Sequence, residues 1–169
     1  GAGKTSLLRA GVIHDLELQM REVSAAHPER APFAVCAFAA WRDDPLLGLM
    51  ETIRAAADEA LGDGGLDAWS PGASVEATLR SWTERVRTLL VVVDQFEDYF
   101  LYHPDEEGEG TFAEALPEIV NEPNLRVHFL LSIREDALAK LDRFKGQIPS
   151  LFANYVRVEH LSRAAARQA

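Results

Sequence analysis

Three short apolar runs constrain this chain more than any other feature. They are Phe33–Phe38 (F-A-V-C-A-F), residues 88–94 (T-L-L-V-V-V-D) and residues 125–133 (L-R-V-H-F-L-L-S-I). Such runs are too short for buried helices. The first reads as a strand covered on both faces, the second as a buried strand and the third as a further strand. Segments with helical spacing separate them. Strands alternating with helices specify an α/β fold with a mostly parallel sheet. In such sheets ligands bind beyond the C-terminal ends of the strands. Asp94 and Arg134 each follow directly on one of these runs, so topology alone assigns them to one edge.

The remaining elements follow from periodicity and capping. In residues 4–23, Leu7, Leu8, Val12, Leu16 and Met20 recur at helical spacing, with Gly11 as an interruption or bend. Residues 24–32 are a Pro-punctuated loop. Asp44 followed by Pro45 predicts an N-cap and first helical residue, opening a helix that carries Leu46, Leu49, Met50, Ile53, Ala57 and Leu61 and stops at Gly62. The Gly-rich segment 62–72 is expected to be the weakest. Ser74 caps a helix to about Arg87, with Leu79, Trp82 and Val86 on its apolar face. A short helix is expected over 95–102, a mobile acidic loop over 103–110, and a helix over 111–120 despite Pro117, which is a candidate start of a second short segment. A helix over 135–141, a last strand over 155–158 and an Ala- and Arg-rich helix opened by Ser162 complete the chain.

The first six residues, Gly1-Ala2-Gly3-Lys4-Thr5-Ser6, read as the back half of a phosphate-binding loop. Gly1 and Gly3 let the backbone fold closely around an anion. Lys4 supplies a point charge for β- and γ-phosphates, and the Thr5 hydroxyl suits Mg²⁺. The helix that begins at Leu7 would set the phosphates at its positive end. Asp94 fits the acid that holds Mg²⁺ opposite Thr5, although an ordinary helix N-cap would also place an Asp there. Glu97 and Asp98 are candidates for the general base; the alternative is a solvated acidic helix face. Gln95 directly after the acid can orient water but cannot accept its proton, which predicts slow turnover. Arg134 is the candidate contact for the γ-phosphate, the alternative being a pairing with Glu135 or Asp136. Arg42, leaving another strand on the same rim, is a weaker candidate.

Composition narrows the partners. A net charge of −10 over 169 residues argues against nucleic acid as a direct partner, because phosphate backbones call for basic patches. Cys36 is the single cysteine, so there is no disulfide framework, and the five histidines show no metal-ligand spacing. Trp41, Trp69 and Trp82 read as packing residues. No apolar stretch reaches the roughly 20 residues of a membrane span. A chain without an initial Met or signal peptide is expected to be a cytoplasmic fragment cut at both ends.

The segments G-A-G-K-T-S-L-L-R-A-G (1–11), F-A-A-W-R-D-D-P-L (38–46), L-L-V-V-V-D-Q-F-E-D-Y-F (89–100), F-L-L-S-I-R-E-D (129–136) and H-L-S-R-A-A-A (160–166) resemble the STAND-class P-loop NTPases, in particular the bacterial novel STAND NTPase group. The resemblance implies a single, truncated P-loop NTPase domain over residues 1–169, with the three-layer α/β/α fold. Walker A falls at 1–6, the Walker B strand at 88–94 and the sensor strand at 125–134. It implies an ATP-binding signalling switch with Mg²⁺, whose exchange between ATP and ADP controls homo-oligomerisation and attached effector and sensor domains. By position, Gly1 to Ser6 bind the nucleotide, and Thr5 and Asp94 hold the metal. Glu97 and Asp98 form the acidic extension of the Walker B segment, and Arg134 is the sensor arginine. A central strand is expected before Gly1 and a winged-helix region after Ala169, so residues 1–169 alone are expected to bind nucleotide poorly. The alternative from another class is a nucleotide-gated interaction scaffold without significant hydrolysis. A small-molecule kinase would need an acceptor site and lid for which the region after Arg134 gives little support.

Overall fold

The computed structural model describes residues 5–27, 32–149 and 151–158. Three strands, β1 (Phe33–Phe38), β2 (Thr88–Val93) and β3 (Val127–Leu131), form a parallel sheet in the order β1-β2-β3. The pairing aligns Phe38 with Val93 and Val93 with Leu131, so the three C-terminal ends lie level. Helices flank the sheet, which is the α/β architecture expected of a P-loop NTPase. Ala34, Cys36 and Phe38, then Leu89, Val91 and Val93, point into one core face, as the period-2 geometry of a strand requires.

Between β1 and β2 the chain forms α2 (Pro45–Leu61) and α3 (Val75–Arg85). The expected caps are present. Asp44 Oδ1 accepts from the N–H groups of Leu46 (3.0 Å) and Leu47 (2.9 Å), and Gly62 ends α2 in the left-handed region at φ 75°. Ser74 Oγ accepts from Ala77 N–H at 3.1 Å. The Gly-rich segment 62–72 is better held than its composition suggests. Leu66 is buried with its N–H on Asp58 Oδ1 (3.0 Å), Trp82 Nε1 donates to Asp67 O (3.2 Å), and Arg85 reaches Gly65 O (2.8 Å).

The N-terminal helix differs in phase from its expected pattern. A π-helical run, Leu7–Ile13, leads without a break into α1 (His14–Ala26). A π-turn takes in more residues than an α-turn, so the inward position moves by one: Ile13 is buried and Val12 is exposed. Between β2 and β3 lie α4 (Phe96–Tyr102) and α5 (Phe112–Asn121). As expected the helix runs on despite Pro117, which is buried inside α5 and starts no second segment. The acidic loop between them, expected to be mobile, is pinned at Glu106. The Glu106 Oε2 atom accepts from the Tyr99 hydroxyl (2.8 Å) and from Ala113 N–H (3.1 Å).

After β3 the predicted α-helix is a 3-10 helix, Glu135–Phe144. Leu138, Leu141 and Phe144 explain it: apolar residues three apart eclipse one another on a 3-10 turn and reach the core together. The strand expected at 155–158 is absent. A strand needs a hydrogen-bonding neighbour, these residues pair with none among those described, and Val156 is 83% exposed. The terminal helix expected after Ser162 lies outside the described residues. His128 and Leu130 on the second face of β3 are exposed, whereas the matching β2 residue Val92 is buried. The second face of β1 is half-buried, so its two faces are unequally covered.

Candidate functional site

Asp94 closes β2 and sits at the centre of the level strand ends. It is 2% exposed. Its N–H donates to Phe38 O (2.8 Å), and its carbonyl accepts from Trp41 Nε1 (2.8 Å). Oδ1 accepts from Gln95 N–H at 2.9 Å. Oδ2 is buried and has no hydrogen-bond partner among the described residues. A buried polar atom without a partner is costly and calls for a ligand, water or ion.

The capping explanation does not describe this aspartate. The N-cap of α4 is Gln95, held in the left-handed region at φ 54° and ψ 43°, with no side-chain capping bond. Phe96 N–H turns away to Ser132 O (2.9 Å), and Ser132 N–H returns to Val93 O (2.8 Å). The end of β2 is thereby stitched to the end of β3, with Asp94 left below the helix start.

Glu97 is half-buried in the first turn of α4, and its Oε2 accepts from Arg134 N–H at 3.1 Å. Asp98 is also half-buried, and its N–H donates to Gln95 O (2.8 Å). The Arg134 guanidinium forms a two-pronged pair with Asp136, Nε to Oδ1 at 3.0 Å and Nη2 to Oδ2 at 2.7 Å. Glu135 instead pairs with Arg157 at 3.0 Å. Both members of the Arg134–Asp136 pair are more than half exposed, so it is weak and exchangeable. Arg42 is engaged elsewhere, with Nε donating to the Tyr102 hydroxyl (3.2 Å) and the guanidinium 5.5 Å from that ring.

Asp94, Glu97 and Arg134 therefore meet at one end of the sheet. Thr5 is half-buried and Ser6 exposed at the entry to the π-helical run, which packs against β1. Gly1, Ala2, Gly3 and Lys4 lie outside the described residues. Among the described residues no group of three His, Cys, Asp or Glu side chains could cage a metal. The buried Asp94 Oδ2, without a hydrogen-bond partner among the described residues, is an oxygen donor of the type Mg²⁺ takes, an ion commonly held by one or two carboxylates plus substrate phosphates.

Sequence reasoning read Trp41 as packing and missed its bond. It does pack, with ring centroids 4.8 Å from Phe38, 5.3 Å from Phe96, 5.6 Å from Tyr99 and 5.4 Å from Phe112. Its indole N–H also needs a partner when buried, and a Trp directly beyond a strand end has the neighbouring strand's terminal carbonyl within reach. On the other side His103 Nε2 lies 2.7 Å from Trp41 O. A carbonyl only accepts, so Nε2 carries the hydrogen. Neither nearby weak acid is a nucleophile at neutral pH. Burial pushes the Cys36 thiol up to about 12. Burial, then the Glu106 carboxylate, raises the Tyr99 phenol well above its usual range.

Among the described residues no helix is long and apolar enough to cross a membrane. A family model described as Novel STAND NTPase 1 matches residues 1–169. Comparison with curated proteins and with solved structures returned no match.

Proposed function

The chain belongs to the Novel STAND NTPase 1 family, a nucleotide-binding group of the switch type, and from this we propose an ATP-binding signalling switch with slow, Mg²⁺-dependent hydrolysis. In this reading nucleotide state controls homo-oligomerisation and the effector and sensor domains of the full-length protein. The observation that carries it is Asp94 Oδ2, without a hydrogen-bond partner among the described residues and buried at the strand ends where a parallel sheet binds its ligand.

The division of labour follows from the side chains. Gly1 to Ser6 cradle the phosphates, with Lys4 on the β- and γ-phosphates. Thr5 and Asp94 hold Mg²⁺, which when bound neutralises charge on the phosphate oxygens. Glu97, or Asp98 beside it, accepts a proton from water. The Arg134 guanidinium exchanges its exposed Asp136 partner for the γ-phosphate and so distinguishes ATP from ADP. Gln95 presents an amide where a carboxylate would be the stronger base, which keeps turnover slow and suits a timer better than a motor.

Equilibrium ATP binding by the full-length protein, wild type against Lys4→Ala, tests the reading. Loss of most of the affinity is expected; equal affinity refutes it. A second reading, a nucleotide-gated scaffold without meaningful hydrolysis, is favoured by one observation. Glu97 Oε2 already has a structural task on Arg134 N–H.

A further inference from the structure

Each hydrogen-bonding group of Asp94 except Oδ2 is committed inside the chain. The N–H goes to Phe38 O, the carbonyl takes Trp41 Nε1–H, and Oδ1 takes Gln95 N–H. The next residue, Gln95, is held at positive φ, a region that non-glycine residues enter at a cost. Without a constraint, the Asp94–Gln95 peptide would relax toward the helical region. Asp94 would then become an ordinary N-cap, turning its carboxylate onto the N–H groups at the start of α4. The constraint on the carbonyl side is the Trp41 indole. Trp41 is 1% exposed, wedged among Phe38, Phe96, Tyr99 and Phe112, and held at its own carbonyl by His103.

Resting on the reading of Asp94 as the magnesium-holding acid, we propose that Trp41 is a positioning residue for it. The indole N–H fixes the Asp94–Gln95 peptide so that Oδ2 is kept from internal donors and available to a cation. The two readings of Asp94 weighed from sequence, metal acid and helix cap, are thus alternative states of one peptide, and Trp41 selects the first. His103, gripping Trp41 from the loop side, supports the same selection.

Trp82 provides the control. It too is buried (2% exposed) and its indole N–H also donates to a carbonyl, but it lies on α3 and that carbonyl is Asp67 O in the Gly-rich segment (3.2 Å), not Asp94 O. The experiment measures ATP affinity of the full-length protein with Mg²⁺ and with EDTA. In Trp41→Phe the gain in affinity conferred by Mg²⁺ should fall by roughly tenfold or more, the usual penalty for removing a group that orients a metal ligand, while affinity in EDTA is retained. Trp82→Phe should keep the full gain. His103→Ala, which removes the grip on the Trp41 carbonyl and the stacking of His103 on Tyr99 (centroids 5.8 Å) but keeps the indole itself, should reduce the gain in the same direction and keeps the test decisive if Trp41→Phe does not fold. A full Mg²⁺ gain in His103→Ala and in any folded Trp41→Phe, or an equal loss in Trp82→Phe, overturns the role of Trp41 alone. Wild-type protein that binds ATP with no Mg²⁺ gain, or not at all, overturns the reading of Asp94 together with it.

Discussion

Glu97 and Arg134, 37 residues apart, are joined by a 3.1 Å hydrogen bond from the Arg134 main-chain N–H to Glu97 Oε2. The candidate base and the candidate γ-phosphate contact are thus one unit, because the acid holds the backbone from which the arginine side chain extends. The bond exists because β2 and β3 pair in parallel, which sets the first turn of α4 beside the residues leaving β3.

Glu97 variants separate its two tasks. Glu97→Gln keeps an acceptor for Arg134 N–H, so thermal stability should stay within about 0.5 kcal/mol, whereas Glu97→Ala should lose about 1 kcal/mol. In single-turnover hydrolysis Glu97→Gln should slow the reaction roughly 100-fold or more if Glu97 is the base. An unchanged rate would favour the scaffold reading.

Replacing Asp94 should divide stability from function. Asn preserves its shape and removes a buried charge whose Oδ2 has no partner among the described residues, so Asp94→Asn without nucleotide should be at least as stable as wild type in urea. Its Mg²⁺-dependent ATP affinity should fall at least about tenfold, since one carboxylate ligand is lost. A large loss of stability would show that Asp94 serves the fold instead.

Asp136 competes with a γ-phosphate for the Arg134 guanidinium. Asp136→Ala should therefore raise affinity for ATP over ADP by a few-fold, and Arg134→Ala should abolish the difference. Neither should move the melting temperature much, because an exposed pair contributes about 0–1 kcal/mol. Parallel ATP and ADP titrations on the two variants decide the matter.

Alkaline pH should weaken the fold through Cys36 and Tyr99. Both acids keep their proton longer when folded, the thiol up to about 12 from an ordinary 9.0 and the phenol above its usual range. Above the unfolded values the unfolded chain binds fewer protons than the native one, so stability falls as pH rises. It is complete below about pH 9 and declines from there toward about pH 12. At about pH 10.5 the thiol alone should account for a loss on the order of 2 kcal/mol. Urea midpoints for wild type and Cys36→Ala at about pH 8 and 10.5 should show a shallower decline in the variant.

The chain's local order wrote much of this molecule directly. Apolar runs of strand length between helical patterns specify a parallel sheet. Asp44, Pro45, Gly62 and Ser74 mark the helix ends, because capping depends on residues within a turn of one another. The same locality explains what only tertiary structure decided. Whether Val12 or Ile13 faces inward depends on hydrogen bonds in the π-helical run. Whether 155–158 forms a strand depends on a neighbour, which periodicity does not record. The Arg134–Asp136 pair, two residues apart, was legible as one of the alternatives, whereas the partners of the Trp41 indole and of Glu97 were illegible for one reason. A hydrogen bond is chosen by distance in space, and only strand register brings residues 41 and 94, or 97 and 134, within 3 Å or so.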